Sequence, residues 1–170
     1  MRVVLAGLIL AATMVAGVAQ AQDEKTEDVG AWKLISITDP ISDEGRMVAA
    51  LQADGGMLAV KCDEPGPNSV YIHWISKDYF GGDYDRRRMT IRFDQDAPTT
   101  EQWAYDGRSA IQTADREAMA FARRLRSASR VVLRGSDYRG SEHTAVFELT
   151  PADTERALAR VFATCAAGDL

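Results

Sequence analysis

From Ala31 onward the chain alternates between apolar and polar positions. Trp32 and Leu34 share one face of a first expected strand, which ends at the turn signal Asp39-Pro40. Two further strands are expected over 46–52 and 57–62, split by Asp54-Gly55-Gly56, a hairpin signal. In the second of these, Leu58, Val60 and Cys62 point the same way, because successive side chains of a strand face opposite sides. The breaker Glu64-Pro65-Gly66-Pro67-Asn68 follows. The strand over 70–75 is apolar on both faces, with Val70, Ile72 and Trp74 on one and Tyr71, His73 and Ile75 on the other, so it reads as central. Over 88–94, Met89, Ile91 and Phe93 alternate with Arg88, Thr90 and Arg92. Shorter strands are expected over 102–105, 130–134 and 142–149, the last two joined by a turn near 135–140.

Two stretches change to a helical period. Ala114, Ala118, Phe121, Ala122 and Leu125 recur at steps of three and four, which predicts a helix over 114–126. Thr113 is its expected cap, with Asp115 and Glu117 near the start and Arg123, Arg124 and Arg126 near the end, a distribution that suits the helix dipole. Thr150-Pro151-Ala152-Asp153 then reads as a helix opening with proline at the first position. Leu158, Val161, Phe162 and Cys165 form the apolar stripe of that last helix. Many strands with one helix before the final pair and one after predict an α+β fold: a mainly antiparallel, sandwich-like sheet with two packed helices.

The N-terminal segment follows neither period. Residues 1–21 hold one early charge, Arg2, then an apolar run closed by Ala19-Gln20-Ala21, and predict a secretory leader cleaved after Ala21. The apolar run is short of the ~20 residues that span a bilayer. Residues 22–29 (QDEKTEDV) are polar throughout and are expected to form a flexible lead-in to a single domain over 30–170. The expected destination is the periplasm, with a soluble mature chain.

Composition then narrows the chemistry. Twenty-five acidic residues against 20 basic ones give a formal net charge of −5 in 170 residues, a poor match to nucleic acid or to anionic membrane surfaces. Two cysteines in an exported chain predict one disulfide, Cys62–Cys165, and both periodicities aim these sulfurs at the interior. Closing a loop of roughly a hundred residues contributes about 4–5 kcal/mol in the chain-entropy picture.

Several words of the sequence resemble one family. Trp32-x-Leu34 leads to Asp39-Pro40-Ile41-Ser42-Asp43, and Leu58-Ala59-Val60-Lys61-Cys62 to Val70-Tyr71-Ile72-His73-Trp74. Ile91-Arg92-Phe93-Asp94 and Gln102-Trp103-x3-Gly107 follow, then Phe147-Glu148-Leu149 before Ala157-Leu158-x2-Val161-x3-Cys165. Over nearly the whole mature chain this resembles the type VI secretion-associated VasI/TagO-like family of exported bacterial proteins. The resemblance implies a small periplasmic accessory protein without catalytic residues, whose partners are envelope proteins, including secretion machinery. The chain departs from that family in its aspartate- and arginine-rich segment from Tyr79 to Arg87.

The reactive residues do not group in sequence. Cys62, Cys165, His73 and His143 show neither CxxC nor HxxxH spacing, so no metal and no cofactor is expected. Cys62 lies on a strand and Cys165 at a helix end, neither of which lowers a thiol pKa as a redox cysteine requires. No GxSxG marks a serine hydrolase. The most distinctive segment is Asp78–Arg88, DYFGGDYDRRR. Tyr79, Phe80, Tyr84, Arg86 and Arg87 are residue types enriched at binding hot spots and form an expected partner-contact loop. The expectation is an exported accessory or binding protein without catalysis; the alternative is an envelope hydrolase or hydrolase inhibitor acting on the cell wall.

Overall fold

The structure is a computed structural model that describes residues 23–63 and 70–165. The leader expected over 1–21 and the turn expected at 64–68 lie outside the described residues. In chain order the elements are β1 (Asp23–Val29), β2 (Trp32–Thr38), β3 (Gly45–Ala53), β4 (Gly56–Cys62), β5 (Val70–Ser76), β6 (Gly81–Phe93), β7 (Thr99–Gly107), β8 (Ser109–Gln112), α1 (Asp115–Ser127), β9 (Arg130–Ser136), β10 (Glu142–Glu148) and α2 (Pro151–Cys165). The ten strands form one sheet in the order β1-β2-β3-β4-β5-β8-β7-β6-β9-β10, with antiparallel neighbours throughout.

The sandwich-like packing comes from this single sheet turning back on itself. β10 touches β3, seven places away in the strand order. Gly55, in the two-residue β3–β4 turn, permits the approach: a Cβ there would stand 2.4 Å from the Cβ of Ala145. Both helices cover the inner face. α2 packs on β3 and β4, α1 on β5, and the two helices touch. Phe121 of α1 meets Phe93 and Trp103 edge to face, with ring centroids 5.2 and 5.7 Å apart.

Alternation does the sorting. Leu58, Val60, Cys62, Ile72, Trp74, Met89, Ile91 and Phe147 are buried on the inner face. The three tryptophans are all core, and each buried indole N–H has an acceptor. Trp32 Nε1 donates to Thr154 Oγ1 at 3.0 Å, Trp74 Nε1 to the Gly55 carbonyl at 3.2 Å, and Trp103 Nε1 to Glu101 Oε2 at 2.9 Å. Cys62 and Cys165 are disulfide-bonded, with Cα atoms 5.8 Å apart, so the end of β4 is tied to the last turn of α2.

Three expectations are corrected. Residues 23–29 are not a flexible lead-in but strand β1, paired with β2 from Asp23↔Thr38 to Val29↔Trp32. An edge strand wet on both faces carries no apolar alternation, and backbone hydrogen bonds define it instead. Thr113 does not cap α1. Ala114 is the extended residue before the helix, and its N–H donates to Gln112 Oε1 at 3.1 Å. The contact loop expected over Asp78–Arg88 is largely strand, since β6 begins at Gly81.

Candidate functional site

The segment from Asp78 to Arg88 divides into a buried anchor and an exposed tip. Phe80 is fully buried. Its ring lies edge to face with Trp74 at 5.1 Å, Tyr105 at 5.0 Å and His143 at 5.7 Å. Such contacts are worth about 0.5–1.5 kcal/mol each beyond area burial. Phe80 is therefore a core residue and not a contact residue, a correction to the expected loop.

Arg87 is likewise committed inward. Its side chain is 19% exposed, and Nη1 donates to the carbonyls of Phe80 at 3.2 Å and Ser136 at 2.8 Å. Its guanidinium carbon sits 4.4 Å from the Tyr105 ring centroid, a cation–π stack. Burial, opposed by the nearby Arg87 charge, raises the Tyr105 hydroxyl pKa, so Tyr105 stays a neutral phenol. Gly135 lies against that hydroxyl, where a Cβ would stand 2.4 Å from its oxygen. Arg87 thus clamps β6 to the end of β9; it does not reach for a partner.

The second half of the site comes from the β9–β10 turn. Tyr138 N–H donates to the Phe80 carbonyl at 2.8 Å, joining that turn to the residues ahead of β6. Asp137 organises the turn through Oδ1, which accepts from the N–H groups of Arg139 at 2.8 Å and Ser141 at 2.9 Å. His143 closes the join from below. Its Nδ1 lies 3.1 Å from Asp78 Oδ2 and its Nε2 3.2 Å from Asp137 Oδ2. Desolvation alone would raise the Asp137 carboxyl, but the Ser141 N–H, the His143 ring and the Arg139 N–H outweigh it and hold its pKa below the usual value.

On this base stand Tyr79 and Tyr138, 55% and 61% exposed. Their rings meet edge to face at 6.4 Å, and the Arg139 guanidinium lies 5.0 Å from the Tyr138 ring centroid. The tip therefore offers two phenol hydroxyls, aromatic faces and one cation on a fixed support. Aromatic and arginine side chains so placed bind with little ordering cost.

The remaining expected contact residues point elsewhere. Tyr84 is 59% exposed, but it sits in the β6 irregularity at φ 49° and lies close enough to Tyr71 to influence its ionisation. Arg86 is exposed on β6 and donates to the Gln102 carbonyl at 2.9 Å. Only Tyr79 of the five expected residues is in the tip. Tyr138 and Arg139 were missed because their stretch reads as a plain turn. An exposed tyrosine beside an arginine in a glycine-bounded hairpin tip was the available signal.

The two histidines lie in separate settings. Asp78, His143 and Asp137 are two carboxylates and an imidazole, and each ring nitrogen faces one carboxylate. Among the described residues no group of three metal-ligating side chains converges. His73 stands on the other side of the sheet, with Nε2 2.8 Å from Ser109 Oγ and a buried Nδ1 that has no hydrogen-bond partner among the described residues. Burial and the Lys61 charge push the His73 pKa down to about 4.

Comparison with known proteins gives no match: no family model, no curated protein and no solved structure matches the chain.

Proposed function

We propose that the chain is an exported, disulfide-bonded accessory protein of the cell envelope that binds a partner protein and carries out no catalysis. The observation that carries this reading is the exposed Tyr79–Tyr138 pair on a base of buried Phe80 and partly buried His143 and Arg87. Exposed aromatics usually lose entropy when a partner immobilises them. Here part of that ordering is already present in the free protein, which favours binding. Export is supported by the leader-like residues 1–21 and by the disulfide across the core. Among the described residues no helix is long and apolar enough to cross a membrane. The family resemblance makes a component of a type VI secretion apparatus the first candidate partner.

The test is affinity capture of the tagged protein from its own envelope, beside a Tyr79→Ala/Tyr138→Ala variant. A partner that is captured by the native chain and lost with the variant supports the reading. A partner retained equally by both, or release of fragments from purified peptidoglycan by the protein alone, overturns it.

A further inference from the structure

A second surface is set apart by its charge. The side of β6 and β9 turned away from the core carries Arg86, Arg88 and Arg92 from one strand and Arg130 and Arg134 from the other. The chain as a whole has a net charge of −5, so this concentration runs against its average. Two depressions follow the strand. One, of about 490 Å³, is lined by residues that include Arg86, Arg88, Gln102 and Arg134. The next, of about 250 Å³, is lined by residues that include Arg92, Arg130 and Val132. Thr90 and Arg134 line both, so the two are one trough running along β6.

Arg92 is held by the Asp96 carbonyl at 3.1 Å and by Gln95 Oε1 at 3.2 Å, whereas the other arginines are loosely engaged. Arg134 Nη1 and Arg130 Nε reach Glu142 and Glu148 on β10 at 3.5 and 3.3 Å, both pairs exposed. Such pairs are worth little and exchange readily with a competing carboxylate. Arg86 donates to one backbone carbonyl, and Arg88 forms no ion pair among the described residues. The guanidinium fork matches a carboxylate in two parallel hydrogen bonds, a geometry lysine lacks. Alternate residues of an extended strand lie about 7 Å apart, so Arg86 and Arg88 repeat at the spacing of alternate side chains in an extended peptide.

The geometry points to a binding site for an extended acidic peptide segment, lying along β6 with alternate carboxylates on Arg86 and Arg88 and flanked by Arg134. This site does not depend on the tyrosine tip, which uses other residues.

The probe is a fluorescein-labelled octaglutamate peptide, followed by fluorescence anisotropy with the native chain and with octaglutamine as control. Octaglutamate is expected to bind saturably, weakening as salt screens the charges, and octaglutamine not to bind. Arg86→Ala/Arg88→Ala should lower the affinity about tenfold with an unchanged melting temperature, since both side chains are exposed. Tyr79→Ala/Tyr138→Ala should leave it unchanged, which separates failure of this site from failure of the tip. No octaglutamate binding, equal binding by the arginine variant, or binding of inorganic polyphosphate in place of the peptide would overturn the proposal.

Discussion

The backbone N–H of Tyr138 donates to the carbonyl of Phe80 at 2.8 Å, and it makes one surface out of two segments distant in sequence. Phe80 is buried, while its chain neighbour Tyr79 and its bonding partner Tyr138 are both exposed. Core packing is thus coupled directly to the presented aromatic pair.

Phe80→Ala should therefore cost stability and destroy the tip together. A buried phenylalanine reduced to alanine costs about 3–5 kcal/mol. Tyr79→Ala and Tyr138→Ala, at exposed positions, should each change stability by about 0.5 kcal/mol or less. Urea unfolding of the three variants checks the contrast. An equal loss from all three would mean that the tyrosines belong to the core.

The disulfide joins β4 to the end of α2, and α2 covers β3 and β4. Reduction, or Cys165→Ser with Cys62→Ser, should cost about 2–5 kcal/mol. Unfolding in the presence and absence of a reductant measures it. A midpoint that does not move would show that helix packing alone holds the C-terminal end.

His73 gives the fold a pH dependence of defined sign. Its folded pKa of about 4 lies below the unfolded value, so on acidification the unfolded chain takes up the proton first. Stability is complete above about pH 6.5 and falls as pH drops toward 4, by up to about 3 kcal/mol. His73→Gln should be less stable than the native chain at pH 7 or close to it, but should lose far less between pH 6.5 and 4. Parallel slopes for the two proteins in that window would contradict the assignment.

Gly135 packs directly on the Tyr105 hydroxyl. Gly135→Ala should therefore destabilise by about 1–3 kcal/mol through overpacking. Removing the hydroxyl with Tyr105→Phe should recover part of that loss, because ring carbons of Tyr105 still lie 3.1 and 3.2 Å from the added Cβ. A double-mutant cycle reads the coupling. Strict additivity would place the strain elsewhere.

The parts of this fold legible in sequence are those governed by local period. Leu58, Val60 and Cys62 alternate because β4 has one face on the core, and Leu158, Val161, Phe162 and Cys165 repeat because α2 does. The disulfide followed from the presence of two cysteines in a chain read as exported, and those two periods supported it. β1 was illegible because nothing on an exposed edge needs to be apolar. β8 was illegible because it is four residues long and is stabilised by β5 and β7, one of them distant in sequence. Phe80 looked like a surface residue because its neighbours are polar. Its real surroundings, Trp74, Tyr105 and His143, are brought to it only by the folded sheet. Tyr138 was missed for the same reason in reverse, since the carbonyl that accepts its N–H belongs to the distant Phe80.

The proposed function stands or falls on Tyr79 and Tyr138 forming one partner-binding tip. A photo-crosslinking residue placed singly at 79, at 138 and at the distant exposed position 41 tests it in the native envelope. The same partner is expected from 79 and from 138 and not from 41. Capture from 41 alone, or different partners from 79 and 138, would contradict it.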